Sequence, residues 1–174
     1  MLNLFKKSPD PEAVYAVYRA IVAQSRQPVF YAEWGVPDTV TGRFDMICLH
    51  MSLVFRRLSG GGKEAAEFAQ ALFDLFFKDM DRNLREMGAG DLSVPKKIRN
   101  MGNIFYGLMT NLNEAMERGD RAGAETVLER NLFDDGADGK VGELADYLEA
   151  QYGKLKLQPV ATVLGGRLEL GEAA

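Results

Sequence analysis

The chain has 174 residues, the size of one domain, and is 47% hydrophobic, enough for a core without disulfide or metal staples. It carries 21 Lys plus Arg against 25 Asp plus Glu, a formal net charge of -4, which argues against a general nucleic-acid binder, and no specific nucleic-acid partner is expected. Its single cysteine, Cys48, cannot form an internal disulfide or a Cys-rich metal site, and no run reaches the roughly 18 apolar residues of a bilayer span.

The start, MLNLFKK, is too short and in the wrong order for a secretory signal. Residues 1–9 are expected to form either a frayed end or a short interfacial foot. In the second case Leu2, Leu4 and Phe5 would contact a membrane or partner. Asp10-Pro11 is a helix start, because Asp caps open N–H groups and Pro suits the first turn. Val14, Val17, Tyr18, Ile21 and Val22 follow at helical spacing, up to about Arg26, before Pro28.

Residues 28–41, PVFYAEWGVPDTVT, read as an aromatic loop. Phe30, Tyr31 and Trp34 either cover one end of the core or anchor a partner. A second helix is predicted over about 42–58 and a third, the longest, over about 63–87. The broad apolar stripe of the third places it centrally or against a partner. Ser93 and Pro95 start a fourth helix, and Lys96, Lys97 and Arg99 crowd its first turns, where the helix dipole disfavours positive charge. An acidic partner segment or anionic headgroups would compensate, although a plainly solvated face fits the same residues. Asp120 caps a short helix ending near Arg130, and a last helix is expected over about 142–152.

Residues 10–152 therefore read as one helical domain and residues 153–174 as an extended tail packed on or near it. The period-two stretches 154–157 and 167–170 would suit short strands, so a small hairpin is one arrangement open to the tail. The fold class expected is all-α, a single irregular helical bundle with a long central helix.

The motifs of catalysis are missing. There is no GxGxxG, no phosphate loop, no C-x-x-C and no H-E-x-x-H. His50 is the only histidine and lies at the edge of an apolar face, the usual place of a structural histidine. Asp74–Lys78 and Asp81–Arg85 have the i,i+4 spacing of ordinary surface pairs. No enzyme, metal site or cofactor is expected on these grounds.

Two long segments carry a resemblance. Residues 23–45, AQSRQPVFYAEWGVPDTVTGRFD, and residues 72–106, from LFDLFFKDMDRNLREMGAGD to IRNMGNIFY, resemble the ubiquinol-cytochrome c chaperone family. The resemblance implies a non-catalytic assembly chaperone for respiratory complex III that binds immature cytochrome b. It further implies a bacterial form acting in the cytoplasm, at the periphery of the inner membrane. A small assembly partner, the ribosome or an anionic membrane surface are further contacts it suggests. Within the two signatures the charged set Arg43, Asp79, Asp81, Arg85, Lys96 and Lys97, beside Phe30, Tyr31 and Trp34, is the expected partner-binding surface. Three other readings compete: a helical haem or cofactor protein with His50 as ligand and Met46 or Met51 nearby, a permanent structural subunit, and a peripheral lipid-binding domain.

Overall fold

The computed structural model of the chain describes residues 8–133 and 139–173. Among these residues there are eight helices: α1 (Pro11–Ser25), α2 (Pro28–Ala32), α3 (Val40–Leu58), α4 (Gly62–Glu86), α5 (Val94–Glu117), α6 (Arg121–Leu132), α7 (Val141–Leu157) and α8 (Val160–Leu164). No strand occurs among them. The architecture is an irregular all-α bundle. Leu2, Leu4 and Phe5, the expected membrane foot, lie outside the described residues.

The helix starts follow local chemistry. The Asp10 carboxylate accepts from the Glu12 amide at 3.0 Å, with Pro11 in the first turn. The segment expected as an aromatic loop is partly helical, because Pro28 opens α2 in the same way that Pro11 opens α1. The Thr39 hydroxyl accepts from the Gly42 amide at 3.1 Å, so α3 begins two residues before its predicted start. Gly42 itself passes the preceding loop so closely that a Cβ there would lie 2.0 Å from the Pro37 carbonyl oxygen.

Every residue of α3 from Phe44 to Val54 is buried. A helix enclosed on all sides belongs at the centre, and α1, α4, α5, α6 and α7 all pack against it. The longest helix, α4, buries a single line, Phe68, Leu72, Phe76 and Met80, each four residues from the next. Phe73 and Phe77 broaden that line and meet Phe105 of α5 at 5.8 and 6.3 Å between ring centroids. At the end of α4 the Ala89 and Gly88 amides donate to Leu84 and Arg85 carbonyls, and Gly88 supplies the positive φ of 86° that this C-terminal motif requires.

The expected strand at 154–157 is instead the last turn of α7. Leu155 continues the buried face of Leu144, Leu148 and Gln151, so the helical period overrides the local alternation, and Leu157 is left 85% exposed. Pro159 then ends the helix, α8 adds one short turn that Gly165 and Gly166 close, and residues 167–173 are extended. This tail lies against α1 and α7, with Leu168 and Leu170 packed on the core.

Candidate functional site

Two of the three aromatic residues expected as partner anchors are core residues. Phe30 and Trp34 are buried, and with Tyr147 and His50 they form a cluster of edge-on rings with centroids 5.1–5.8 Å apart. In this conformation neither offers a face to a partner. Apolar area decided the matter: the two rings close the end of the bundle between α3 and α7. Tyr31 is half-buried and donates to the Ser25 carbonyl at 2.7 Å, which ties α2 to the end of α1.

His50 is enclosed in the same cluster. Its Nδ1 lies 2.8 Å from the Met46 carbonyl oxygen, which can only accept, so Nδ1 carries the proton. Nε2 is then bare and accepts from the Tyr147 hydroxyl at 2.8 Å. Both ring nitrogens are committed, burial lowers the imidazole pKa to about 4, and no nitrogen is left for a haem iron. Met46 and Met51 are likewise fully buried.

All but one of the charged residues expected to bind a partner fall into two regions. The first is a groove of about 840 Å³ between α1 and α4, walled by Arg19 on α1 and Arg26 at its C-cap, and by Lys78 and Arg82 on α4. Tyr15 stands exposed at its end, and the Arg19 guanidinium lies 5.9 Å from the Tyr15 ring centroid. Asp79 is the one carboxylate in the groove. It accepts from the Tyr18 hydroxyl at 2.8 Å and pairs with Arg82, so it is engaged within the chain. Burial and the Asp79 carboxylate hold the Tyr18 proton on. The expected Asp74–Lys78 pair does not form; Asp74 accepts from Gln70 at 2.8 Å instead. Arg43 stands apart at the start of α3, exposed and paired with Asp38 at 2.7 Å.

The second region is the tip of the α4–α5 hairpin. Beyond Met80 on α4, and before Phe105 on α5, Val94 is the one buried residue, so the tip projects from the core. Arg85 bonds Asp81 at 2.7 Å and also pairs with Asp91, which holds the loop against the end of α4. Leu92 is 98% exposed and Met87 57%. Ser93 does not cap α5; its hydroxyl donates to the Gly90 carbonyl at 2.8 Å. The first turns of α5 therefore carry Lys96, Lys97 and Arg99, all exposed, with no capping side chain to offset the dipole. Among the described residues none of the three forms an ion pair.

Of the residues expected to bind a partner, the fold thus gathers Asp81, Arg85, Lys96 and Lys97 at the hairpin tip. It leaves Asp79 in the groove, Arg43 and Tyr31 near the α2–α3 turn, and Phe30 and Trp34 inside. Reading the sequence missed Arg19 and Tyr15, four residues apart on the face of α1 opposite Val14, Val17 and Ile21. It gave no binding role to Leu92, or to Met87, which it reads as the end of the apolar stripe of the long helix; their place at a glycine-rich turn was the available signal.

The family model described as Ubiquinol-cytochrome C chaperone matches residues 32–170, a span that includes α3, the hairpin tip, the α4 wall of the groove and most of the tail, but not α1. The chain superimposes on the crystal structure of the Cbp3 homolog from Brucella abortus with a TM-score of 0.84 and 33% sequence identity, covering 92% of this chain and 90% of that one. It is 23% identical over 141 residues to ubiquinol-cytochrome-c reductase complex assembly factor 1 of Xenopus laevis, covering 80% of this chain and 70% of that protein. The chain belongs to the ubiquinol-cytochrome c chaperone family.

Proposed function

We propose that the protein is a non-catalytic chaperone for the assembly of ubiquinol-cytochrome c reductase. It holds immature cytochrome b through the tip of the α4–α5 hairpin. The family match across most of the chain carries this reading. A holdase needs no reactive group, only a surface that covers apolar client segments and selects them by charge. The tip has that composition, with exposed Leu92 and Met87 beside Lys96, Lys97 and Arg99 at an uncapped positive helix end. The client is released when a later subunit or cofactor occupies the same segment.

We further place the protein at the periphery of the membrane in which its client resides. The cations of the α1–α4 groove support this placement, since they complement anionic headgroups. No described helix is long and apolar enough to cross a bilayer.

The test is affinity capture from the native membrane fraction, scored for cytochrome b and for the other reductase subunits. A Lys96→Glu/Lys97→Glu variant of intact helicity runs beside it. Cytochrome b enriched without the complete complex, and lost with the charge reversal, is the expected result. Enrichment insensitive to the reversal would move the site away from the tip. Stoichiometric recovery of the finished complex would mark a structural subunit, and no enrichment after gentle crosslinking would overturn the assignment.

A further inference from the structure

The tail beyond α8 is extended and has no strand beside it, yet its backbone is hydrogen-bonded at Glu169, Gly171 and Ala173. Four of the chain's five glutamines supply the partners. The Gln158 carboxamide accepts from the Glu169 amide at 3.1 Å and donates to the Glu169 carbonyl. The Gln151 carboxamide does the same for Gly171, at 2.7 and 3.1 Å. Gln24 also donates to the Gly171 carbonyl, and the Ala173 amide donates to Gln27 at 2.9 Å. All these contacts fall on alternate residues, as they would along the edge of a β-strand. The side chains of Leu168 and Leu170, in between, pack on the core, while those of Glu169 and Glu172 face solvent.

Carboxamides that pair with both main-chain groups of a residue recognise an extended backbone whatever its side chains. Gln151 and Gln158 are seven residues apart on one face of α7 and its cap, and Gln24 and Gln27 three apart at the end of α1. The two helices thus form the walls of a cradle for one extended chain. We propose that this cradle is a binding groove for an extended polypeptide segment and that the chain's own residues 167–173 occupy it until such a segment displaces them. The matching segment is extended, has apolar residues at two alternate positions, and has amides free to donate at the positions between and after them. The hydrogen bonds do not oppose displacement, because an incoming backbone remakes each bond that the tail gives up. Only for the origin of that segment, an unassembled stretch of the client, does the inference rest on the chaperone reading.

The probe is the synthetic peptide GRLELGEAA, the sequence of residues 166–174, labelled with a fluorophore. It is titrated into the full chain and into a full-chain Leu168→Asp/Leu170→Asp variant, whose own tail no longer packs while the four glutamines remain. Circular dichroism checks that the variant keeps its helices. The variant is expected to bind the peptide about tenfold more tightly than the wild type, because its groove is no longer occupied. Methylation of the peptide nitrogens corresponding to Glu169, Gly171 and Ala173 should abolish binding. Equal binding by the two chains, no binding by the folded variant, or unchanged binding of the methylated peptide would each overturn the proposal. None of these results bears on whether cytochrome b is captured, so the two readings fail separately.

Discussion

The imidazole of His50 and the phenol of Tyr147 meet across 97 residues of chain, with the Tyr147 hydroxyl donating to Nε2 at 2.8 Å. The same hydroxyl accepts from the Gln24 carboxamide at 2.7 Å, so one oxygen joins α1, α3 and α7 in a buried network. Tyr147→Phe leaves the histidine nitrogen without a donor and the glutamine with one acceptor fewer. It should lower stability by about 1–3 kcal/mol, read as a shift in urea midpoint at constant slope. An unchanged midpoint would show that the network contributes nothing.

Two buried groups on α3 act on stability in opposite directions with pH. Burial holds His50 neutral, with its pKa lowered to about 4 from 6.5. Its contribution is complete above pH 6.5 and is lost as the pH falls through the folded value, because the unfolded chain binds the proton first. Burial raises Asp45 to about 7 from 3.8, so its contribution is present below pH 3.8 and is lost as the pH rises through 7. Over the shared window of about pH 4–6.5 the two slopes oppose each other, and the wild-type profile should be shallow.

Asp45→Asn removes one of those slopes. The variant should be more stable than wild type by about 1–3 kcal/mol at pH 8 and equal to it near pH 3.5. Its stability should rise between pH 4 and 6.5, where the histidine then acts without opposition. Thermal melts of the two proteins across that range check the prediction; parallel profiles would refute it.

Arg57 links α3 to the end of α7. Its Nε donates to the Leu155 carbonyl at 2.8 Å, and its Nη2 to the Gln158 carbonyl at 2.6 Å. The Leu155 carbonyl also accepts from the Gln158 amide at 3.1 Å, whereas the carbonyl of Gln158, the C-cap, lies beyond the ladder of α7. Arg57→Met should cost about 1–2 kcal/mol and loosen the end of α7 with the tail that Gln158 holds. Hydrogen exchange should quicken over residues 155–173 and stay unchanged in α4 and α5.

Leu92 is almost fully exposed, so its value to the fold is small. Leu92→Ser should change stability by no more than about 0.5 kcal/mol yet reduce capture of cytochrome b. Capture at the wild-type level would exclude the hairpin tip as the apolar part of the docking surface.

Much of this protein is decided by short stretches of chain. Val14, Val17 and Ile21, or Phe68, Leu72 and Phe76, declare a helix and its buried face because the helical repeat joins residues only three or four apart. Asp10, Thr39 and Asp120 cap helices through amides two or three residues away. The two signature segments are equally local, and the family was readable from them. What residues 154–157 would become was not readable locally, because KLKL fits a strand as well as a helix. Only the core waiting for Leu155, beside Leu148, chose between them.

The site depended on distance in the same way. Whether Phe30 and Trp34 were anchors or core was settled by Tyr147 and His50 closing around them, and aromatic area goes inside wherever another element can cover it. The four glutamines carry no local signal of their task, since their partners in the tail are reached only after the bundle has formed, in the case of Gln27 across 146 residues. Sequence by itself determined the helices and the family, because periodicity and capping act within a few residues. Tertiary structure alone decided which polar groups meet, because buried hydrogen bonds are satisfied by whatever the fold brings within about 3 Å.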